Sequence, residues 1–185
     1  RRLITQQSGV DLSRLRPGSA PSTKLQDRSY EAYHVLKVAE LYFIEASDLN
    51  ITRLRAKARR EHRKEPLKLI FIDHLHILDA DGENSERQIH AAVRGAKAMA
   101  LELGVPVVLL AQLSRAVEQR ASKRPQMSDL RGSGSIEENA DVVMLIYREE
   151  YYLKQEGAPL GKSEGVADII IAKFREGEPC DIKLH

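Results

Sequence analysis

Hydrophobic positions along this chain fall into two kinds of pattern. In the second half, short apolar runs each stop at a polar or aromatic residue: L-K-L-I-F-I-D (67–73), P-V-V-L-L-A-Q (106–112), D-V-V-M-L-I-Y (141–147) and V-A-D-I-I-I-A-K (166–173). Runs of that length, rich in Val and Ile, read as strands buried on both faces. C-D-I-K-L (180–184) is a candidate for one further short strand. Between the first two runs, Ile89, Ala92, Val93, Ala96, Ala100 and Leu103 recur at helical spacing. Ser85, with Gln88 three residues on, offers a capping box at the start of that helix, and Gly104 followed by Pro106 supplies its stop.

The first third is less regular. Residues 9–23 are broken by Gly and Pro and read as loop, and 24–40 is weakly helical. L-Y-F-I-E-A (41–46) predicts a short strand, and a helix starts at about Thr52. The opening R-R-L-I-T-Q-Q-S-G-V carries no cap, as if the chain were cut inside a helix. Apolar strands alternating with helices predict an α/β fold with a mostly parallel sheet. Such sheets bind ligands beyond the carboxyl ends of their strands. Those ends here are Asp73, Gln112, Arg148 and Lys173.

Composition narrows the class more than the partner. A chain of 185 residues and 20.8 kDa is the size of one domain and buries roughly 70% of its unfolded surface. With 42% hydrophobic and 30% charged residues it reads as an ordinary soluble protein. No apolar stretch approaches the ~18 residues of a spanning helix, and the start has no signal-peptide core. The single cysteine, Cys180, cannot form an internal disulfide, which points to a reducing cytoplasm. Net charge is only +2, but 53–64 holds seven Arg or Lys against one Glu, and 115–125 holds four against one.

Several positions carry candidate chemistry. Asp73, an acid after an apolar strand, matches a Walker B pattern, in which a carboxylate holds the water shell of Mg²⁺ on a nucleotide. Its plain reading is a strand-end acid capping the next loop. Gln112 can donate to a phosphate oxygen and accept from a water; its plain reading is a loop glutamine. Lys173 and Arg175 supply a point charge and a planar fork that suit a γ-phosphate, or simply an exposed hairpin end. In S-D-L-R-G-S-G-S-I-E-E-N-A-D (128–141), Gly132 and Gly134 flank Ser133 beside Arg131. With Arg115, Arg120, Lys123 and Arg124 upstream, this is a single-strand contact through backbone charge, or a Gly/Ser turn before a helix capped by Ser135. His74 and His76 lack a third ligand nearby. No G-x-x-x-x-G-K-[ST] phosphate loop occurs. G-A-P-L-G-K-S (157–163) is one residue short between its glycines and leads into a strand, so it reads as a solvent loop.

Taken in order, L-K-L-I-F-I-D-H-L-H-I-L, the block from Leu103 to Glu150 with its Q-L-S-R, K-R-P, S-D-L-R and G-S-I-E pieces, and I-I-I-A-K-F-R-E-G resemble the ATPase domain of DnaB-type replicative DNA helicases. S-G-V-D-L-S-R-L-R-P-G and I-T-R-L-R-A-K-A-R-R fit the same family, so the resemblance covers essentially the whole chain. It implies a RecA-like core, incomplete at its N-terminal side, with a C-terminal β-hairpin. Residues 1–64 would be a helix-and-loop lead-in with a short strand. Residues 65–185 would run from Walker B to the arginine finger. It implies a hexameric ring with ATP and Mg²⁺ between subunits and single-stranded DNA through the centre, with primase and a helicase loader as partners in a bacterial or phage replisome.

By position, Asp73 resembles the Walker B acid, Gln112 the γ-phosphate sensor and Arg175 the arginine finger, with Lys173 beside it. Arg131, Gly132 and Gly134 fall on the DNA-contacting loop, with Arg124 upstream. The sequence departs from the family at Gly132, where an acid is usual, at E-G-E-P after Arg175, where N-G-P is usual, and at His74, where Tyr is usual. The phosphate loop and catalytic glutamate would belong upstream of Arg1. The expectation is a piece of a helicase motor that hydrolyses ATP poorly alone. Two alternatives are a RecA-like recombination or repair ATPase and a non-catalytic DNA-binding or assembly module.

Overall fold

The computed structural model describes residues 2–11, 22–44, 50–75 and 85–185. Its contacts divide the chain into two compact units, Arg1–Glu45 and Ala46–His185. His76, and the capping contacts expected of the Ser85 side chain, lie outside the described residues.

In the first unit, helix α1 (Arg2–Ser8) packs against α2 (Thr23–Val38), burying Ser8, Val10 and Ala32. Ser8 is buried at no polar cost because its Oγ accepts from the Val10 amide at 3.2 Å. The strand expected over 41–46 does not form among its described residues. Leu41, Tyr42, Phe43 and Ile44 are irregular and exposed. A strand needs a neighbour for its backbone groups, and β-propensity alone supplies none.

The second unit opens with α3 (Ile51–Lys64), capped by the Asn50 side chain, which accepts from the Arg53 amide at 2.9 Å. Its Leu54 and Ala58 turn into the core. Strand β1 (Ile70–Ile72) pairs in parallel with β2 (Val107–Leu109), Ile70 opposite Val107 and Ile72 opposite Leu109. The crossover between them is α4 (Ser85–Leu103). Its expected apolar stripe is the core itself: Ile89, Ala92, Val93 and Ala96 are buried, joined by Met99 at 1% exposure. Gly104 takes φ +64°, and the next residue's amide returns to the Ala100 carbonyl at 3.1 Å, which ends the helix as its sequence requires. Ser85 is already helical rather than the cap.

Helix α5 (Ser133–Asn139), strand β3 (Val142–Tyr147) and helix α6 (Glu149–Glu156) follow. Strands β4 (Ala167–Phe174) and β5 (Cys180–Leu184) complete an antiparallel β3-β4-β5 sheet. Among the described residues, parallel pairing is confined to β1–β2. The runs at 141–147 and 166–173 are antiparallel neighbours, linked by α6 and a 3₁₀ turn at Gly161–Ser163. The G-A-P-L-G-K-S stretch is that link. It stands between a helix and a strand, the reverse of a phosphate loop.

Burial on both faces is not observed. In β3, Val143 and Leu145 are buried while Val142, Met144 and Ile146 are exposed, and in β1 Ile72 is buried while Phe71 is 63% exposed. Among the described residues the core cluster covers one face of these strands, and the other face carries exposed apolar side chains.

Candidate functional site

Parallel pairing sets the first part of the site. Because β1 and β2 run the same way, the residues that follow them leave at one edge. The Leu110 amide donates to the Ile72 carbonyl at 3.0 Å, and the Leu75 amide donates to the Leu110 carbonyl at 2.7 Å. The chain on either side of Asp73 is thereby pinned to β2. The Asp73 side chain is 79% exposed, with His74 Nδ1 at 4.0 Å. Gln112, exposed, leaves β2 at the same edge, and Leu113 bridges to Leu130 immediately after it. The structure thus brings Asp73 and Gln112 to one edge. Among the described residues no group of three His, Cys, Asp or Glu is placed to hold a metal.

Antiparallel pairing sets the second part. Val142 lies opposite Phe174 and Tyr147 opposite Asp168, so the carboxyl end of β4 sits beside the amino end of β3. Lys173 and Arg175 meet Asp141 and the end of α5 there. The Arg175 amide donates to the Asp141 carbonyl at 2.8 Å. Its Nη1 lies 3.1 Å from Asp141 Oδ1, and its Nη2 donates to the Glu138 carbonyl at 3.2 Å. Lys173 Nζ donates to the Glu137 carbonyl. Lys97 Nζ, from α4, reaches Asp141 Oδ2 at 2.5 Å. Hydrogen bonding by Lys97, and then the charges of Arg175 and Lys173, lower the Asp141 pKa.

Arg148 does not share this place. It follows the carboxyl end of β3, which antiparallel pairing sets at the opposite end of the sheet from Lys173. The strand ends at Asp73, Gln112, Arg148 and Lys173 therefore do not all meet at one edge. Helix α4 runs down to the amino edge of β2, where the Ile70 amide meets the Pro106 carbonyl at 3.0 Å. Lys97 is six residues, roughly 9 Å, above the end of that helix. Asp141 and its cations thus gather α4, α5 and β4, whereas Asp73 and Gln112 follow β1 and β2.

The Gly/Ser stretch is mostly helix rather than loop. Gly132 is the N-cap of α5 at φ +71°, and a Cβ on it would stand 2.4 Å from Ile89 Cγ2. Both the backbone and the α4 side chain favour glycine at this position. Ser135, inside α5, shares a 2.6 Å hydrogen bond with His90 Nδ1 instead of capping. Arg131 is exposed and Gly134 faces open space.

Three of the upstream cations, Arg120, Lys123 and Arg124, are committed within the fold, while Arg115 is exposed. Arg120 holds the buried Asp129 at 2.7 Å, and Lys123 donates to the Glu118 carbonyl. Arg124 spans Asp168 at 2.9 Å and Asp181 at 2.6 Å, with the Tyr147 ring 5.7 Å beneath its guanidinium. That clamp ties 115–125 to β4 and β5, so a phosphate contact by Arg124 competes with two carboxylates. Among the described residues Arg131 has no such competitor.

Two acids escape motif reading. Asp141 precedes a strand, but its cations come from β4 and α4, through pairings no local pattern encodes. Glu150 is buried and accepts from Lys154 Nζ and from the Gly165 amide at 2.8 Å, which ties α6 to the turn before β4. Lys154 first and the Gly165 amide second hold its carboxyl down to about 2. The i, i+4 spacing of Glu150 and Lys154 is the one local signal that could have found it.

The whole chain, residues 1–185, matches the model of the DnaB-like helicase C-terminal domain. It is 39% identical over 198 residues to the replicative DNA helicase DnaB of Rickettsia typhi, covering 100% of this chain and 40% of that protein. It is 36% identical over 186 residues to DnaB of Geobacillus stearothermophilus, covering 99% of this chain and 40% of that protein. The chain thus spans about two-fifths of the length of these relatives. Among solved structures it superposes on an ATPase domain with a TM-score of 0.88 and 32% identity, over 99% of this chain and 64% of that one. It superposes equally well, at 0.88 and 32%, on a DnaB-like replicative helicase studied with primase, over 99% of this chain and 44% of the other.

Proposed function

The chain belongs to the DnaB-like helicase C-terminal domain family, with a RecA-like fold, and on that premise we propose that it is part of the motor of a ring-shaped replicative DNA helicase. The whole protein would couple ATP hydrolysis to unwinding of duplex DNA by translocation on single-stranded DNA. In this reading it works as a hexamer in the cytoplasm, with a primase and a helicase loader as partners.

One observation carries the reading. Asp73 and Gln112 leave parallel strands at one edge, while Lys173 and Arg175 are held by Asp141 and the end of α5. In this reading a single chain does not close a nucleotide site on itself. Two neighbouring chains do, if the cation pair of one faces the carboxylate edge of the next. Asp73 would then hold the water shell of a nucleotide-bound Mg²⁺, and Gln112 would contact the γ-phosphate. Arg175, with Lys173, would leave Asp141 and stabilise charge in the neighbour's transition state.

The donor set fits the metal only in company with the nucleotide. One exposed carboxylate, with no cluster of acids around it among the described residues, suits Mg²⁺, which keeps most of its waters and binds through one or two carboxylates plus phosphates. Bound there, the ion would neutralise charge on the β- and γ-phosphates. With no phosphate loop in its sequence, this chain lacks the backbone cradle and lysine that grip a triphosphate. DNA contact falls to Arg131 at the start of α5, with the open Gly134 beside it. Gly132 shapes the turn, and Arg124 anchors the segment leading to it.

The test is ATP turnover by this chain and by the full-length protein, each with and without single-stranded DNA. The reading expects turnover stimulated by DNA from the full-length protein and none above background from the chain alone. Robust turnover by the chain alone would sink it.

A further inference from the structure

Helix α3 carries seven Arg or Lys over 53–64; Arg63 donates to the Arg59 carbonyl at 3.4 Å, and the other six fall into two groups. Arg55 and Arg59 turn toward α4 and hold Glu102. Arg55 Nη2 reaches its Oε2 at 2.9 Å, and Arg59 grips both oxygens at 2.5 and 3.1 Å. These two are structural. Arg53, Lys57, Arg60 and Lys64 follow at i, i+4, i+7 and i+11, which places them on one flank of the helix. The stripe is about 16 Å long, with charges roughly 4.5–6 Å apart along the axis. Arg60 and Lys64 are 67% and 64% exposed, and Lys57 is half-buried with its stem along the helix. Glu61 is the acid that meets the lower half of the stripe, at 3.1 Å from Arg60 and 2.9 Å from Lys64. Exposed pairs of that kind are weak and exchange readily with another anion.

We propose that this flank of α3 is a second nucleic-acid contact that takes the phosphate backbone of duplex DNA, distinct from the single-strand contact at Arg131. A rigid row of cations near the spacing of successive phosphates is the electrostatic footprint of backbone binding. The helix has no Phe, Tyr or Trp on which an unpaired base could stack. That favours a duplex, whose bases are already stacked, over a single strand. The structural Arg55–Glu102–Arg59 cluster keeps the helix in place while the opposite flank is engaged.

The experiment compares this chain with a variant carrying Arg53→Gln, Lys57→Gln, Arg60→Gln and Lys64→Gln, a residue that keeps helix propensity. Fluorescence anisotropy with a labelled blunt duplex is read across a salt series, after circular dichroism has checked the fold. Each phosphate contact contributes a slope of about 0.9 in log K against log salt, so the variant should lose roughly 3 to 4 of slope on duplex. Arg131→Ala should leave the duplex slope unchanged and lower single-strand affinity, so the two contacts fail separately. As a measurement that needs no variant, duplex should protect Lys57 and Lys64 of the unmodified chain from acetylation. An unchanged duplex slope without protection would overturn the proposal and leave a solvated face. Equal protection by polyglutamate would also overturn it, in favour of an acidic protein partner. Loss of self-association with unchanged duplex binding would do the same, in favour of a contact between copies.

Discussion

Asp73, just after β1, and Asp141, just before β3, are treated in opposite ways. Asp73 is open to solvent at a pinned strand edge, with a histidine ring nitrogen 4.0 Å away. Asp141 has Lys97 and Arg175 on its two oxygens and Lys173 close by. On the proposed roles, a carboxylate that serves an incoming ligand is left without a close cation, since any such partner would have to be displaced. A carboxylate that parks cations is surrounded by them. The contrast explains how an exposed arginine can be kept in place at modest cost until a competing anion arrives, because pairs at this exposure contribute about 1 kcal/mol or less.

The largest expected effect breaks the cation end. In the full-length protein, Arg175→Ala should reduce ATP turnover by ~10³-fold or more while nucleotide affinity changes far less; steady-state kinetics with a nucleotide-binding titration separates the two. The next effect is structural. Gly132→Ala forces a side chain into positive φ and against Ile89, and should destabilise the second unit by about 1–3 kcal/mol. A shift of the urea midpoint checks it, and a neutral result would mean that the α4–α5 packing is looser than described.

The third effect is pH-dependent. The Glu150 carboxyl is held at about 2 in the fold, against an ordinary 4.5. Its contribution to stability is therefore fully present above pH 4.5 and is lost as pH falls toward 2. Glu102, lowered to about 2 by Arg59 and then Arg55, acts in the same window and the same sense. Thermal midpoints measured from pH 6 down to pH 2 should fall less steeply in Glu150→Gln than in the unmodified chain. The smallest effect is on the exposed cation. Arg131→Ala should change stability by no more than about 0.5 kcal/mol and lower the single-strand salt slope by about 0.7.

Sequence and structure agree where the signal is local. The α4 stripe from Ile89 to Leu103 and its Gly104 stop are both matters of spacing along one helix, and both appear as expected. The shared edge of Asp73 and Gln112 needed only that β1 and β2 be parallel neighbours, which a helical crossover nearly guarantees. The strand at 41–46 did not form among its described residues, and the ends at Arg148 and Lys173 lie apart, for one reason. Strand direction and strand existence depend on a partner elsewhere in the chain, and periodicity says nothing about partners. Arg124 shows the same limit on the side-chain level. Its basic neighbourhood suggested phosphate, whereas Asp168 and Asp181, forty-four and fifty-seven residues away, take both ends of its guanidinium. Gly132 shows it again: part of the need for glycine there comes from Ile89 of α4, to which no local pattern points.

The central claim is that Asp73 of one copy and Arg175 of its neighbour serve one shared site. Mixing two inactive full-length variants, Asp73→Asn and Arg175→Ala, tests it directly. Each alone should show no ATP turnover. After subunit exchange, sites pairing an intact Asp73 with an intact Arg175 from the neighbour form again, and the account predicts that turnover returns in the mixture. A mixture as inactive as its components, with exchange confirmed by labelled subunits, would place both residues in one chain's own site and contradict it.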